Sequence, residues 1–143
     1  MTEPTFARRV PGSTGTGAPS VTTIVVPAAR TKVIIALDGH AEFTINLIET
    51  DLAQLLTALR EGEISYVSST HTVYGRVLLN ARPADVSPRT SASGRTQPGP
   101  RELSLTLPEQ GTVQVMFDTE QTSELVRQLD AARTLLARVQ PHD

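Results

Sequence analysis

The chain has 143 residues, a formal net charge of −2, three phenylalanines, two tyrosines, no tryptophan and no cysteine. That length suits one domain whose core needs no staple, and the missing cysteine excludes disulfides, thiolate nucleophiles and cysteine-held metals. Scarce aromatic side chains disfavour recognition of bases or sugars by stacking. No stretch reaches the ~20 apolar residues of a membrane-spanning helix, and the N-terminus has no apolar leader, so a cytoplasmic protein is the expectation.

All basic residues except Lys32 are arginines, a bias that, with abundant Ala, Thr, Val and Pro, suits a GC-rich bacterial or phage genome. Charge is unevenly placed: residues 1–31 and 82–101 are net basic, and residues 32–81 and 102–143 are net acidic.

Residues 1–20, rich in Pro, Gly, Ser and Thr, lack apolar periodicity and are expected to form a flexible arm. "SVTTIVVP" reads as a strand ended by Pro27. "TKVIIAL" is apolar on both faces and is expected at a sheet centre. "DGH" is a turn, because Asp-Gly supplies the positive φ that a tight hairpin needs. "EFTINLI" then alternates, with Phe43, Ile45 and Leu47 inward. Thr50 is the expected N-cap of a helix whose stripe is Leu52, Leu55, Leu56 and Leu59, ending near Gly62.

"EISYVSS" and "TVYGRVLLNA" read as a hairpin over 64–81 around "STH". Pro83 opens "PADVSPRTSASGRTQPGPR", expected to be a long flexible basic loop over 83–101. "ELSLTL", "PEQG" and "TVQVMF" form another strand–turn–strand, followed by a helix capped by Asp118 or Thr119, with Leu125, Val126, Leu129, Ala132 and Leu136 as its stripe. That helix is expected to end near Arg138, leaving 139–143 as a tail.

The segment from Lys32 to Leu59 matches the segment from Glu102 to Leu129 at an offset of 70 residues in apolar phase. Val33, Ile35 and Leu37 correspond to Leu103, Leu105 and Leu107, and Leu55, Leu56 and Leu59 correspond to Leu125, Val126 and Leu129. The expected fold is therefore α+β: a two-layer antiparallel sheet with two helices on one face. It is built from two ββα units, 32–60 and 102–138, joined by the hairpin and the loop within a domain spanning 21–138. An internal duplication accounts for the match, and so does independent use of a cheap local solution. The outer sheet face would be polar except for Ile34, Ala36 and Met116, an apolar spot suited to a second subunit.

Chemistry-bearing patterns are thin. His40, His71 and His142 have no metal-ligand spacing and read as exposed loop histidines. Ser68 or Ser69 beside His71 could pair as nucleophile and base, but no glycine-flanked elbow surrounds them. "GSTGTG" follows no strand and precedes no helix, so it reads as a spacer rather than a phosphate cradle. No catalytic, metal-binding or cofactor-binding residue is assigned.

The arginines of the arm and loop are the candidate partner-binding residues: Arg8, Arg9, Arg82, Arg89, Arg95 and Arg101. The expected function is a non-enzymatic interaction or assembly module, homo-oligomeric or bound to a protein partner, with no membrane association. The first alternative is weak nucleic-acid binding through those arginines. The second is a small hydrolase.

Overall fold

Alternation of apolar and polar residues sets most of the strands, and the computed structural model, which describes residues 5–84 and 100–137, shows how they close. Strands β1 (Phe6–Thr14), β2 (Pro19–Val26), β3 (Val33–Ala36) and β4 (Thr44–Leu47) lead into helix α1 (Glu49–Glu61). Strands β5 (Ser65–His71), β6 (Gly75–Pro83), β7 (Arg101–Leu107) and β8 (Gly111–Phe117) lead into helix α2 (Thr119–Ala137). Each strand pairs antiparallel with the next and β1 returns to β8, giving a closed barrel in sequence order. The α+β class, with an antiparallel sheet and two helices, is present. The open two-layer arrangement is replaced by a barrel.

β1 is what closes it: within the expected flexible arm of 1–20, Phe6–Thr14 form a strand and Pro19 begins the next. Phe6 lies opposite Val26 and the pairing runs on to Ser13 opposite Pro19. The strand was hidden because only Val10 and Gly12 of its middle residues are buried, so no apolar alternation marks it. Main-chain pairing with β2, not side-chain pattern, holds it in place. At its far end Ser13 and Thr14 pair with Met116 and Val115 of β8. Gly12 makes that meeting possible: a Cβ there would lie 2.8 Å from the Met116 carbonyl oxygen.

The barrel has two weak seams. β1 and β8 share only the two residue pairs just named, and β4 and β5 share only Asn46–Thr70. Between the seams lie two well-paired meanders, β1–β4 and β5–β8, each followed by a helix. The two segments that match at the 70-residue offset therefore occupy the third strand, fourth strand and helix of their respective meanders. Their hairpins are not superposable in register. Val33 lies opposite Leu47, whereas its counterpart Leu103 lies opposite Val115, two residues short of Leu47's counterpart Phe117. A shift by two residues keeps the same side chains inward.

One core takes in both meanders and both helices. Ile24, Ile35, Ile45, Val67, Leu79, Leu105, Val115 and Phe117 from the strands join Leu52, Leu55, Leu59, Leu125 and Leu129 from the helices in a single buried cluster. Each such side chain contributes roughly 1.5–3 kcal/mol through the apolar surface it removes from water. Both helices thus serve the inner face of the strands, and the outer face carries the alternate residues.

The helix ends show where local chemistry enters. α1 begins after Ile48 with no side-chain cap, so Thr50 lies inside the first turn instead of capping it. The acidic Glu49 and Asp51 face the positive end of the helix dipole there. Gly62, with φ 73°, ends the helix in the left-handed conformation that glycine adopts without strain. α2 begins on a reciprocal cap: Gln121 N donates to Asp118 Oδ1 at 2.7 Å, and Asp118 N donates to Gln121 Oε1 at 3.0 Å. Residues 85–99, which hold most of the expected loop, and the tail 139–143 lie outside the described residues. Pro83 and Arg101, the expected loop ends, belong instead to β6 and β7, and Ala84 N donates to Pro100 O at 3.1 Å to extend their ladder.

Candidate interaction face

The six candidate arginines do not form one surface. Arg8 and Arg9 are exposed on β1, with the Arg8 guanidinium 4.8 Å from the centroid of the Phe6 ring. Arg82 is exposed on β6. Arg89 and Arg95 lie outside the described residues. Arg101 is buried, and its assignment as a partner-binding residue is corrected by its contacts. Its Nε donates to the Leu59 carbonyl at 2.7 Å and its Nη1 to the Pro100 carbonyl at 3.0 Å. As the first residue of β7 it shares the inward phase of Leu103, Leu105 and Leu107. That phase carries the guanidinium under the end of α1, where unpaired carbonyls and the negative end of the helix dipole receive it. Burial holds its pKa below the usual arginine value.

His71 is likewise a structural residue and not the exposed loop histidine expected. It is buried, with Nε2 2.7 Å from the Glu42 carbonyl oxygen and Nδ1 accepting from the amides of Val73 and Tyr74 at 3.0 and 3.3 Å. Those partners select the neutral tautomer with the proton on Nε2. Neither nitrogen is left to act as a base for Ser69, whose own hydroxyl donates to the Val77 carbonyl at 3.2 Å. The serine–histidine pair thus works as two turn and strand fasteners. Replacing His71 with alanine leaves the Glu42 carbonyl and the Val73 and Tyr74 amides without this partner, and should lower unfolding free energy by about 1 kcal/mol in chemical denaturation while leaving the far-ultraviolet circular dichroism of the folded state unchanged.

His40 stays in a tight turn, 3.5 Å from Asp38 Oδ2. Asp38 has φ 54°, and His40 N donates back to Leu37 O at 3.1 Å, the geometry that Asp-Gly favours. His142 lies outside the described residues. Among the described residues no cluster of three or more His, Asp or Glu side chains is disposed to hold a metal ion. The ionised side chains of the helices form a solvated lattice. Arg60 pairs with Asp130 at 3.5 Å and Arg133 with Glu49 at 2.6 Å between α1 and α2. On α2 a hydrogen bond from the Gln128 amide, then Arg127, holds the Glu124 carboxyl below its usual pKa.

A different feature stands out on the outer surface. Ile64, Tyr66, Val73 and Leu78 are 61%, 60%, 75% and 53% exposed, and all four belong to the β5–β6 hairpin or its immediate approach. The register places Tyr66 opposite Asn80 and Ser68 opposite Leu78 on the face away from the core. Arg76 and Arg82 occupy the two ends of the same face on β6. Beside them lies a groove of about 510 Å³ between Tyr66, Leu78, Asn80, Ser104 and Thr106. Within it Asn80 Oδ1 is buried without a partner among the described residues. Ile34, Ala36 and Met116, the apolar spot expected from the sequence, are half-buried.

The missed residues had a signal. "EISYVSS" puts Ile64 and Tyr66 in the opposite phase from Val67 and Ser69, and Leu78 falls outward once its partner register is known. Comparison with protein-family models, with curated proteins and with solved structures gives no match.

Proposed function

We propose that this protein is a non-enzymatic assembly module that associates through the outer face of β5 and β6, homo-oligomeric or joined to a protein partner. The observation that carries the reading is the gathering of Ile64, Tyr66 and Leu78, each more than half exposed, on one hairpin. Large apolar side chains scattered singly need no explanation, whereas a contiguous set rimmed by polar groups marks a contact surface. Its make-up also fits: tyrosine and arginine are favoured in protein interfaces and lysine and glutamate are depleted. The face has Tyr66, Arg76 and Arg82, and no lysine.

The repeated order of strands and helix suits duplication of one ancestral unit, with the two hairpins at the start of each half having diverged. The first of these contains Arg8, Arg9 and Pro11, and the second contains the exposed apolar set. Nucleic-acid binding draws less support, because Arg101 is committed to α1, and Arg8 and Arg9 lie on β1 whereas Arg82 lies on β6.

Light scattering after gel filtration tests the reading. The full chain should show a mass above its 15.4 kDa monomer, rising with concentration. Tyr66→Ser combined with Leu78→Ser should raise the dissociation constant at least ~10-fold, because each side chain loses on the order of 1 kcal/mol or more of interface burial. A double variant with undiminished association would discard this face.

A further inference from the structure

We infer that the partner on this face is a second copy of the same chain, and that it adds antiparallel to the edge of β5, so that the two β5 strands pair across a two-fold axis. The inference rests on the reading of the chain as an assembly module and specifies its contact.

The direction of the main-chain groups follows from the ladder. Ala84 N donates to Pro100 O, so the even-numbered residues of β6 turn their amides and carbonyls toward β7 and the odd-numbered ones toward β5. The Ser69 hydroxyl reaches the Val77 carbonyl, in keeping with that assignment. Val77 and Leu79 lie opposite Ser69 and Val67, so the odd residues of β5 bond to β6. The even residues Tyr66, Ser68 and Thr70 then face the β4 seam. Thr70 meets Asn46 there, and its carbonyl accepts from Asn46 Nδ2 at 3.5 Å. Tyr66 and Ser68 have no strand partner on that side among the described residues. Among the described residues no strand takes up their amides and carbonyls, which leaves a short edge in a nominally closed barrel.

Edges of this kind are normally defended by charge, proline or bulges. The opposite seam is: β1 has Arg8, Arg9 and Pro11 along its stretch without β8 pairing. β5 is not. From Ile64 to His71 the sequence "ISYVSSTH" contains no charge, no proline and no glycine. A strand pairing with its own copy sets each residue type against a symmetry-related one, so a charged strand would oppose like charges, whereas this one opposes none. Self-pairing also satisfies both faces at once. Val67 and Ser69 continue the inward row and Tyr66 and Ser68 the outward row. The exposed Ile64 and Tyr66 of each copy then flank the new ladder and merge with Leu78 into one apolar stripe. Because the contact is isologous it closes at the dimer and does not propagate as a fibre.

The test uses the full chain. Ser68→Pro removes the seam-facing amide without touching the bonds to β6, a position where an edge strand tolerates proline. It should leave the circular dichroism spectrum in place and move the mass measured by light scattering to that of the monomer. Because the native chain has no cysteine, Tyr66→Cys, Ser68→Cys and Thr70→Cys can each be oxidised mildly in turn. At least one should give a disulfide-linked dimer in high yield, while Thr112→Cys on β8 gives none. The cysteine series decides the matter even if Ser68→Pro fails to fold. A folded Ser68→Pro chain that still associates, or a series in which no β5 position cross-links while the native chain is oligomeric, overturns edge pairing and leaves the assembly reading standing on another surface. A native chain that is monomeric throughout overturns both.

Discussion

Arg101→Ala is expected to lower the unfolding free energy by about 3 kcal/mol, the upper end of the range for losing hydrogen bonds from a charged donor, one of whose acceptors, at Leu59, stays buried. The side chain is 8% exposed and spends its guanidinium on the Leu59 and Pro100 carbonyls. Removing it leaves the Leu59 carbonyl near the end of α1 without the guanidinium and opens space beside Gly62, where the guanidinium packs so closely that a Cβ on the glycine would lie 2.9 Å from Nη2. Urea denaturation followed by circular dichroism reads the loss. Arg101→Lys should recover less than half of it, because an ammonium cannot reproduce the forked donation to two carbonyls. The same substitution at exposed Arg82 should change stability by less than about 0.5 kcal/mol. A neutral Arg101→Ala would return that residue to the set of surface arginines available to a partner.

Gly12→Val should cost roughly 3 kcal/mol, at the upper end of the usual penalty for overfilling a packed site. A Cβ at residue 12 would stand 2.8 Å from the Met116 carbonyl oxygen, 3.1 Å from Val115 Cγ1 and 3.2 Å from the Phe117 ring. The nearest of these is main chain and cannot swing away, so β1 and β8 must separate where only two residue pairs hold them. Thermal denaturation should show a lower midpoint, and amide exchange in β1 should accelerate more than in β6. The contrast matters because β1 reaches the barrel through backbone pairing, and a side chain at this one point pushes it off. Unchanged exchange in β1 would mean that the seam is looser than the packing around Gly12 indicates.

Much of this fold is legible in the residues. The alternation of Phe43, Ile45 and Leu47, the leucine stripe of α1 and the Asp118 cap are short-range signals, and each names a local structure that tertiary packing then keeps. β1 was illegible for the reason that makes Gly12 sensitive. Its buried middle positions are one valine and one glycine, so the strand is specified by what it pairs with and by a close approach that only a missing side chain allows. Arg101 misled in a related way. It ends a run of Pro, Ser and Gly that reads as loop, yet it stands in phase with Leu103 and Leu105, and that phase sends it inward. His71 was misplaced because a residue near a hairpin turn is assigned to the turn by its neighbours, while its ring is claimed by Glu42, which comes close only once β4 and β5 meet.

The candidate face was half-legible. The opposite phase of Ile64 and Tyr66 could be read from the strand itself, but that Leu78 joins them depends on the β5–β6 register. The weakness of the β4–β5 seam shows only in the pairing, which comes down to Asn46 opposite Thr70. No stretch of sequence displays a hydrogen bond that is not made.

Sedimentation equilibrium of the full native chain, run over a range of concentrations, tests the central claim most directly. A reversible monomer–dimer equilibrium built on a 15.4 kDa unit is expected, unaffected by moderate salt because the proposed contact is apolar and main-chain in character. A single species of monomer mass up to high micromolar concentration would contradict it.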